Sequence, residues 1–206
     1  MSVRTVLRNP YVWGFVIGIA MLTAIRPFLR RIPEPPPVLS QLPDFSLVGL
    51  DGKPYGSAEL RGQVYVANFF STSCRSDCPA IMKGMARLQD GFAQRNIRGV
   101  RLVSISVDPE HDTPEILREY AKGAGVDPAW WTLLTGDPQR VRELVGDGFQ
   151  EGDVGPGGTA HTGKLVLVDG LGRIRGTYGS DEMGLDEAYN RAQHVLRQER
   201  DTESSR

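Results

Sequence analysis

Residues 64–70, VYVANFF, are a nearly unbroken apolar run. Successive side chains of a strand point to opposite faces, so this stretch has no polar side to turn toward water. It belongs in the middle of a sheet that is covered on both faces. Directly after it comes STSCRSDCPAIMKGM, which holds the only two cysteines of the 206-residue chain, Cys74 and Cys78. From residue 80 to 94, Ile81, Met85, Leu88 and Phe92 recur at spacings of three and four, which is one face of a helix. A helix starting near Cys78 puts Pro79 at its first position, where a missing N–H costs nothing. Both sulfurs then face the helix N-terminus, whose unpaired N–H groups and dipole favour thiolate over thiol. Two ionisable sulfurs at one loop tip make a redox pair or half of a metal site.

The rest of the chain builds a sheet around that strand. Residues 45–48 and 53–55, joined at Asp51-Gly52, read as a small hairpin. Residues 100–107 form a second strand ending at Asp108-Pro109. Thr113 is placed as the N-cap and Pro114 at the first position of the next helix, which stops at Gly123. Trp131–Leu134 is a short strand, and Asp137-Pro138 opens a short helix ending at Gly146. Residues 148–160 are rich in glycine and lack a periodic pattern. Two strands, Lys164–Val168 and residues 173–178, meet at Asp169-Gly170, and residues 185–196 are an amphipathic helix. Strand, helix and strand followed by a hairpin and a last helix predict an α/β fold of thioredoxin type, a central mixed sheet flanked by helices. Open α/β sheets place their chemistry at the C-terminal ends of the strands, where the cysteine loop falls.

The N-terminus reads differently. Residues 10–25, PYVWGFVIGIAMLTAI, carry no charge and lie between Arg4 and Arg8 on one side and Arg26, Arg30 and Arg31 on the other. With Arg26 snorkelling, about 19 residues could sit in lipid, close to the ~20 needed to span. No small-residue cleavage site follows, so an uncleaved transmembrane helix, contacting lipid through residues 10–29, is expected. The flanking arginines are nearly balanced and do not orient it. Residues 32–43 contain five prolines and read as a semi-rigid linker. The expected organisation is an anchor at 1–31, a linker at 32–43, the folded domain at 44–197 and a polar tail at 198–206. Lys+Arg 24 against Asp+Glu 25 leaves a net charge of -1, with no basic bias toward nucleic acid.

A third ligand would separate metal binding from dithiol exchange. His111 lies in the polar turn DPEHDTP and is expected in solvent, as is His194 on the last helix. His161 follows the glycine loop and precedes the hairpin, so it could swing over the cysteines. Asp77 is expected to face solvent, Asp108 and Asp112 to cap turns and the following helix, and Met85, Trp130 and Trp131 to pack the core; Met82 stays open.

FFSTSCRSDCP, then SVDPEHDTPEILREYAKGAG, then Trp131 with LLTGD, then HTGKLVLVDGLGRIRGTY, in this order and spacing, resemble the SCO/SenC family of copper chaperones. The resemblance runs over roughly residues 40–197. It implies a membrane-anchored thioredoxin fold that helps metallate the copper centre of cytochrome c oxidase. It also implies that Cys74, Cys78 and His161 bind copper. The implied partners are the copper-bearing oxidase subunit or other copper chaperones, and the implied location is a bacterial inner membrane with the domain in the periplasm. Such a protein is a metallochaperone rather than an enzyme. Two thiolates and an imidazole suit copper, since soft sulfur selects Cu(I) and nitrogen helps to tolerate Cu(II). Arg75 stands where the family commonly has proline, and Ala160 where an acidic residue often precedes the histidine. The alternative is a thiol–disulfide oxidoreductase that uses Cys74 and Cys78 to reduce copper-ligand cysteines of a target. The wider threonine–cysteine spacing of peroxiredoxins is missing, which disfavours a peroxidase.

Overall fold

The computed structural model describes residues 10–29, 35–149 and 163–205. They belong to two compact units, one within residues 1–34 and one within 35–206. The first holds helix α1, Pro10–Leu29, of 20 residues and so about 30 Å long. Tyr11, Trp13, Phe15, Val16, Ile17, Ile19 and Met21 are all exposed on it. Among the described residues no helix is long and apolar enough to cross a membrane. The segment expected to span forms a helix that falls short of this, because its uncharged run ends at Ile25, before Arg26.

The second unit is the α/β sandwich of thioredoxin type. Its strands are β1 (Ser40–Gln41), β2 (Ser46–Val48), β3 (Pro54–Gly56), β4 (Val64–Phe70), β5 (Val100–Ser106), β6 (Trp131–Leu134), β7 (Lys164–Val168) and β8 (Arg173–Gly179). Its helices are α2 (Ser57–Leu60), α3 (Cys78–Gln94), α4 (Pro114–Gly123), α5 (Pro138–Glu143) and α6 (Glu182–Ser204). The large sheet has the order β1-β8-β7-β4-β5-β6. β4, β5 and β6 are parallel, while β7 runs antiparallel to β4 and β8 to β7. The β2–β3 hairpin forms its own small sheet, joined to the rest by a bridge from Val48 to Thr135.

Every residue of β4 is buried, as its composition requires. Val64, Val66 and Phe70 enter the core beneath α3, α4 and α6, together with Met85, Leu117, Trp131 and Val195. Tyr65, Ala67 and Phe69 enter the core on the other face with Leu42, Leu47, Val141 and Phe149. Gly84 lets α3 approach α6, because a Cβ there would stand 3.0 Å from Leu185.

Two expected boundaries move. Part of the expected linker is sheet: β1 pairs with β8 through Ser40↔Ile174, and Leu42 is buried. Arg175 donates to the Pro36 carbonyl from Nε at 2.9 Å and from Nη2 at 2.6 Å. The expected polar tail is the C-terminal end of α6, which runs to Ser204. There Gln198 accepts from Arg175, Glu199 accepts from the Gly170 N–H, and Arg200 donates to the Arg98 carbonyl. Contacts between residues far apart in the chain hold both segments, and no local periodicity reports them.

Candidate metal centre

Parallel register sets the site. β4 and β5 run side by side from Val64↔Val100 to Phe70↔Ser106, so the loops that leave them are neighbours. The Val107 N–H donates to the Phe70 carbonyl at 2.9 Å and closes the pair. The first loop carries the cysteines and the second is DPEHDTP. Antiparallel β7 pairs Leu165 with Asn68, which brings the start of β7 to the same end of the sheet. Two loops therefore meet there, residues 71–77 and residues 107–113, and β7 begins at the same end.

Hydrogen bonds shape the cysteine loop. The hydroxyls of Ser71 and Ser73 lie 2.7 Å apart, and the Cys74 N–H donates to the Ser71 carbonyl at 3.3 Å. Asp112, fully buried, accepts from the Thr72 N–H at 3.1 Å and from the Ser106 hydroxyl at 2.5 Å. It also accepts a short bond from the Thr72 hydroxyl. Asp108 accepts from the Ser73 hydroxyl at 3.3 Å. These side chains tie the two loops together, which corrects their reading as turn and helix caps alone. Thr113 is the N-cap of α4, accepting from the Ile116 N–H at 3.4 Å. A buried carboxylate with three donors is a rigid strut, because moving the loop would strip it of partners in low dielectric.

Cys74 is partly exposed and Cys78 is fully buried. Both are thiols rather than a disulfide. Cys78 opens α3 directly, with Asp77 as N-cap, so Pro79 occupies the second helical position rather than the first. Partial burial pushes the Cys74 thiol up, but hydrogen bonds from the Cys78 side chain and backbone and from Ser76 outweigh this and hold it below the ordinary value. Burial and then the hydrogen bond with Cys74 push Cys78 up to about 12. The pair is thus one accessible nucleophile and one shielded sulfur. In the metal-free protein at neutral pH, iodoacetamide should modify Cys74 and leave Cys78 intact, as mass spectrometry of the alkylated chain would show. A folded-state value above the unfolded one stabilises the fold below the unfolded value. For Cys78 that stability should fade as pH rises from its ordinary 9.0 toward about 12. Equal labelling of both thiols in the folded chain would contradict this asymmetry.

Of the other candidate residues, His161 lies outside the described residues, as do Ala160 and residues 150–159 of the glycine-rich stretch. Among the described residues no group of three His, Cys, Asp or Glu stands close enough together to hold a metal ion. His111, Arg75 and Asp77 are exposed. His194 was expected in solvent but is half-buried on α6, where Nδ1 has no hydrogen-bond partner. Met85 packs in the core, and Met82, 4% exposed, accepts from the Asn68 amide at 3.8 Å. Trp131 donates to the Ser104 hydroxyl at 2.8 Å.

Two residues beside the cysteines, Asp112 and Tyr120, have roles that the local sequence does not announce. Asp112 is expected as a cap, and its bonds to Thr72 and Ser106 across the two loops carry no signal in the local sequence. Tyr120 falls on the same face of α4 as Leu117. Its ring stacks on Phe70 with centroids 5.5 Å apart, and burial followed by the charges of Cys78 and Cys74 raises its hydroxyl above the ordinary range.

The chain is similar to known proteins in sequence and in fold. The family model described as SCO1/SenC matches residues 36–197. A SCO1 protein homolog of Bacillus subtilis (strain 168) is 31% identical over 150 residues, covering 71% of this chain and 77% of that protein. BsSco, described as a member of the Sco family of cytochrome c oxidase assembly proteins in which a disulfide switch was identified, superimposes with a TM-score of 0.71. That match has 27% identity and covers 79% of this chain and 98% of the other. Arabidopsis thaliana ScoI, solved with copper bound, shares the fold with a TM-score of 0.61 at 22% identity, over 77% of this chain and 99% of that one.

Proposed function

Given that the chain belongs to the SCO1/SenC family, we propose that it is a copper chaperone of cytochrome c oxidase assembly. It takes copper as cargo on Cys74, Cys78 and His161 and passes it to the copper-bearing oxidase subunit. The observation that carries this reading is the asymmetric thiol pair at the end of β4. One sulfur is open to an incoming ligand and the other is held inside, which suits a site that must both bind and release. Soft sulfur donors favour Cu(I). A relative from Stutzerimonas stutzeri, described as a putative copper-binding protein and 30% identical over 143 residues, supports copper as the cargo. In support of the third ligand, β7 begins at Lys164 on the same sheet end as the cysteine loop. Three residues of backbone reach at most about 11 Å, enough for His161 to serve that end.

The protein is further proposed to be tethered to the inner membrane by α1, with the domain on the periplasmic side. The exposed apolar residues of α1 support this, since they would be costly in water, and Arg26 could snorkel from the end of the run. A second reading, thiol–disulfide exchange with a target's copper-ligand cysteines, has support in the disulfide switch of BsSco. It uses the same Cys74 and would show as reduction of a target disulfide without copper.

Titration of the chain with Cu(II), read by its thiolate-to-copper charge-transfer absorption, tests the ligand set. His161→Ala should weaken Cu(II) binding strongly while leaving Cu(I) on the two sulfurs and the thermal melt unchanged. Equal Cu(II) affinity with and without the imidazole would remove His161 from the site.

A further inference from the structure

At the end of the sheet away from the cysteine loop, arginines gather without acidic partners. Arg95 and Arg98 lie in the turn between α3 and β5, and Arg197 and Arg200 on the facing side of α6; all four are exposed. Arg98, Arg197 and Arg200 line a groove of about 400 Å³ with Asn96, Ile97 and Leu196. Among the described residues none of the four arginines forms an ion pair. This occurs in a chain whose net charge is only -1. Among the described residues Asp90, Asp201 and Glu203 form no ion pair with them, and Glu199 accepts from the Gly170 N–H instead.

The cations are also held in place. The Arg98 guanidinium lies over the Trp130 ring at 5.0 Å and that of Arg95 over Tyr189 at 5.6 Å. Arg200 donates to the Arg98 carbonyl at 2.5 Å, which fixes the turn against α6. Stacking on an aromatic face orders a guanidinium and leaves its charge available. Guanidinium groups in this state are matched to phosphate oxygens, which they bind through paired N–H donors.

The position indicates which phosphates. Arg175 holds the Pro36 carbonyl and also donates to Gln198 at 2.8 Å. The segment that leads back toward α1 is therefore pinned beside the α6 turn carrying Arg197 and Arg200. Arg98 and β5's first residue, Val100, sit at the start of the parallel strands, and the cysteine loop follows Phe70 and Ser106 at their far ends. Seven residues of strand separate the two ends by roughly 20 Å.

We propose that this arginine groove docks on the surface of an anionic phospholipid bilayer, so that the cysteine loop points away from the membrane. The proposal extends the tethered reading above, and the two fail separately. Alkaline carbonate extraction of the reconstituted full chain reports on the α1 tether alone. The groove is read by amide hydrogen exchange of the full chain on vesicles of phosphatidylcholine, with or without added phosphatidylglycerol.

Residues 95–99 and 193–201 should exchange several-fold more slowly on the anionic vesicles, while residues 72–77 stay unchanged. The protection should vanish in 1 M salt, where charges are screened within about 3 Å. It should fall roughly fivefold for each of Arg98→Gln, Arg197→Gln and Arg200→Gln, as expected for one charge near an anionic surface. Equal exchange on the two lipid compositions overturns the proposal, as does protection that survives the triple substitution. So does the same protection produced by inorganic phosphate alone, which would make the groove a site for small anions. If carbonate extracts the chain, the same comparison with chain added from solution still decides the groove.

Discussion

Replacing both sulfurs, as Cys74→Ser with Cys78→Ala, should reduce copper retained by the reduced chain to background while the domain stays folded. Alanine is chosen at 78 because the thiol there is fully buried. A serine hydroxyl buried there is costlier to desolvate than a thiol and would confuse loss of metal with loss of fold. Position 74 is partly exposed, so serine should change stability by no more than about 0.5 kcal/mol. Metal analysis after purification under reducing conditions, beside a thermal melt, reads both quantities. Copper remaining at the parent level in the double variant would place the site elsewhere and remove the proposed function. The single variants add a direction: loss of Cys74 removes the entry ligand, and loss of Cys78 removes the anchoring one, so neither should hold Cu(I) tightly.

The largest effect on stability is expected far from the cysteines, at Asp169. Its carboxylate is fully buried and accepts from Arg173 Nε at 2.8 Å and from Arg175 Nη1 at 3.0 Å. It also accepts from the N–H groups of Leu171 and Arg173, both at 3.0 Å, closing the β7–β8 turn. Arg175 is itself only 4% exposed. Asp169→Ala leaves that guanidinium buried without its counter-charge, a loss of about 3–5 kcal/mol in comparable cases. The Pro36 carbonyl and Gln198 still accept from Arg175, which argues for the lower end. For a domain of this size that is a fall in Tm of roughly 6–20 °C. Asp169→Asn keeps an acceptor for the turn and should lose less. An Asp169→Ala chain that melts with the parent would show that the ion cluster adds nothing. Because Arg175 also grips Pro36, early proteolysis within residues 35–42 should accompany the loss.

The strands and helix starts were legible because their causes are local. β4 was visible as an apolar run too uniform for an edge. Thr113 with Pro114 announced α4, and Asp137 with Pro138 announced α5, where Asp137 accepts from the Gln139 and Arg140 N–H groups. The cysteine pair was legible as a candidate site from its spacing and its place after β4. What stayed illegible depends on partners distant in the chain. Asp112 meets Thr72 forty residues away, and β1 meets β8 more than a hundred residues on. Read as residues 32–43, the proline-rich segment looked like a spacer, because composition does not say whether an extended strand finds a sheet edge. Residues 198–204 looked like a tail, because their helical order comes from contacts with the β7–β8 turn and with Arg98.

By itself, then, the sequence determined the element types, the sheet's central strand and the place of the two cysteines directly after it. Side-chain volume, backbone propensity and thiol chemistry are properties of residues and near neighbours, and they survive without coordinates. Only the tertiary structure decided that Cys78 is sealed while Cys74 is open, since burial depends on what packs above a residue. It also decided that Asp112 braces the cysteine loop, and that arginines from a turn and a helix a hundred residues apart share one groove. Parallel register brings the ends of β4 and β5 together, and helix packing brings α6 over the turn before β5. Both are outcomes of long-range closure, which no window of sequence contains.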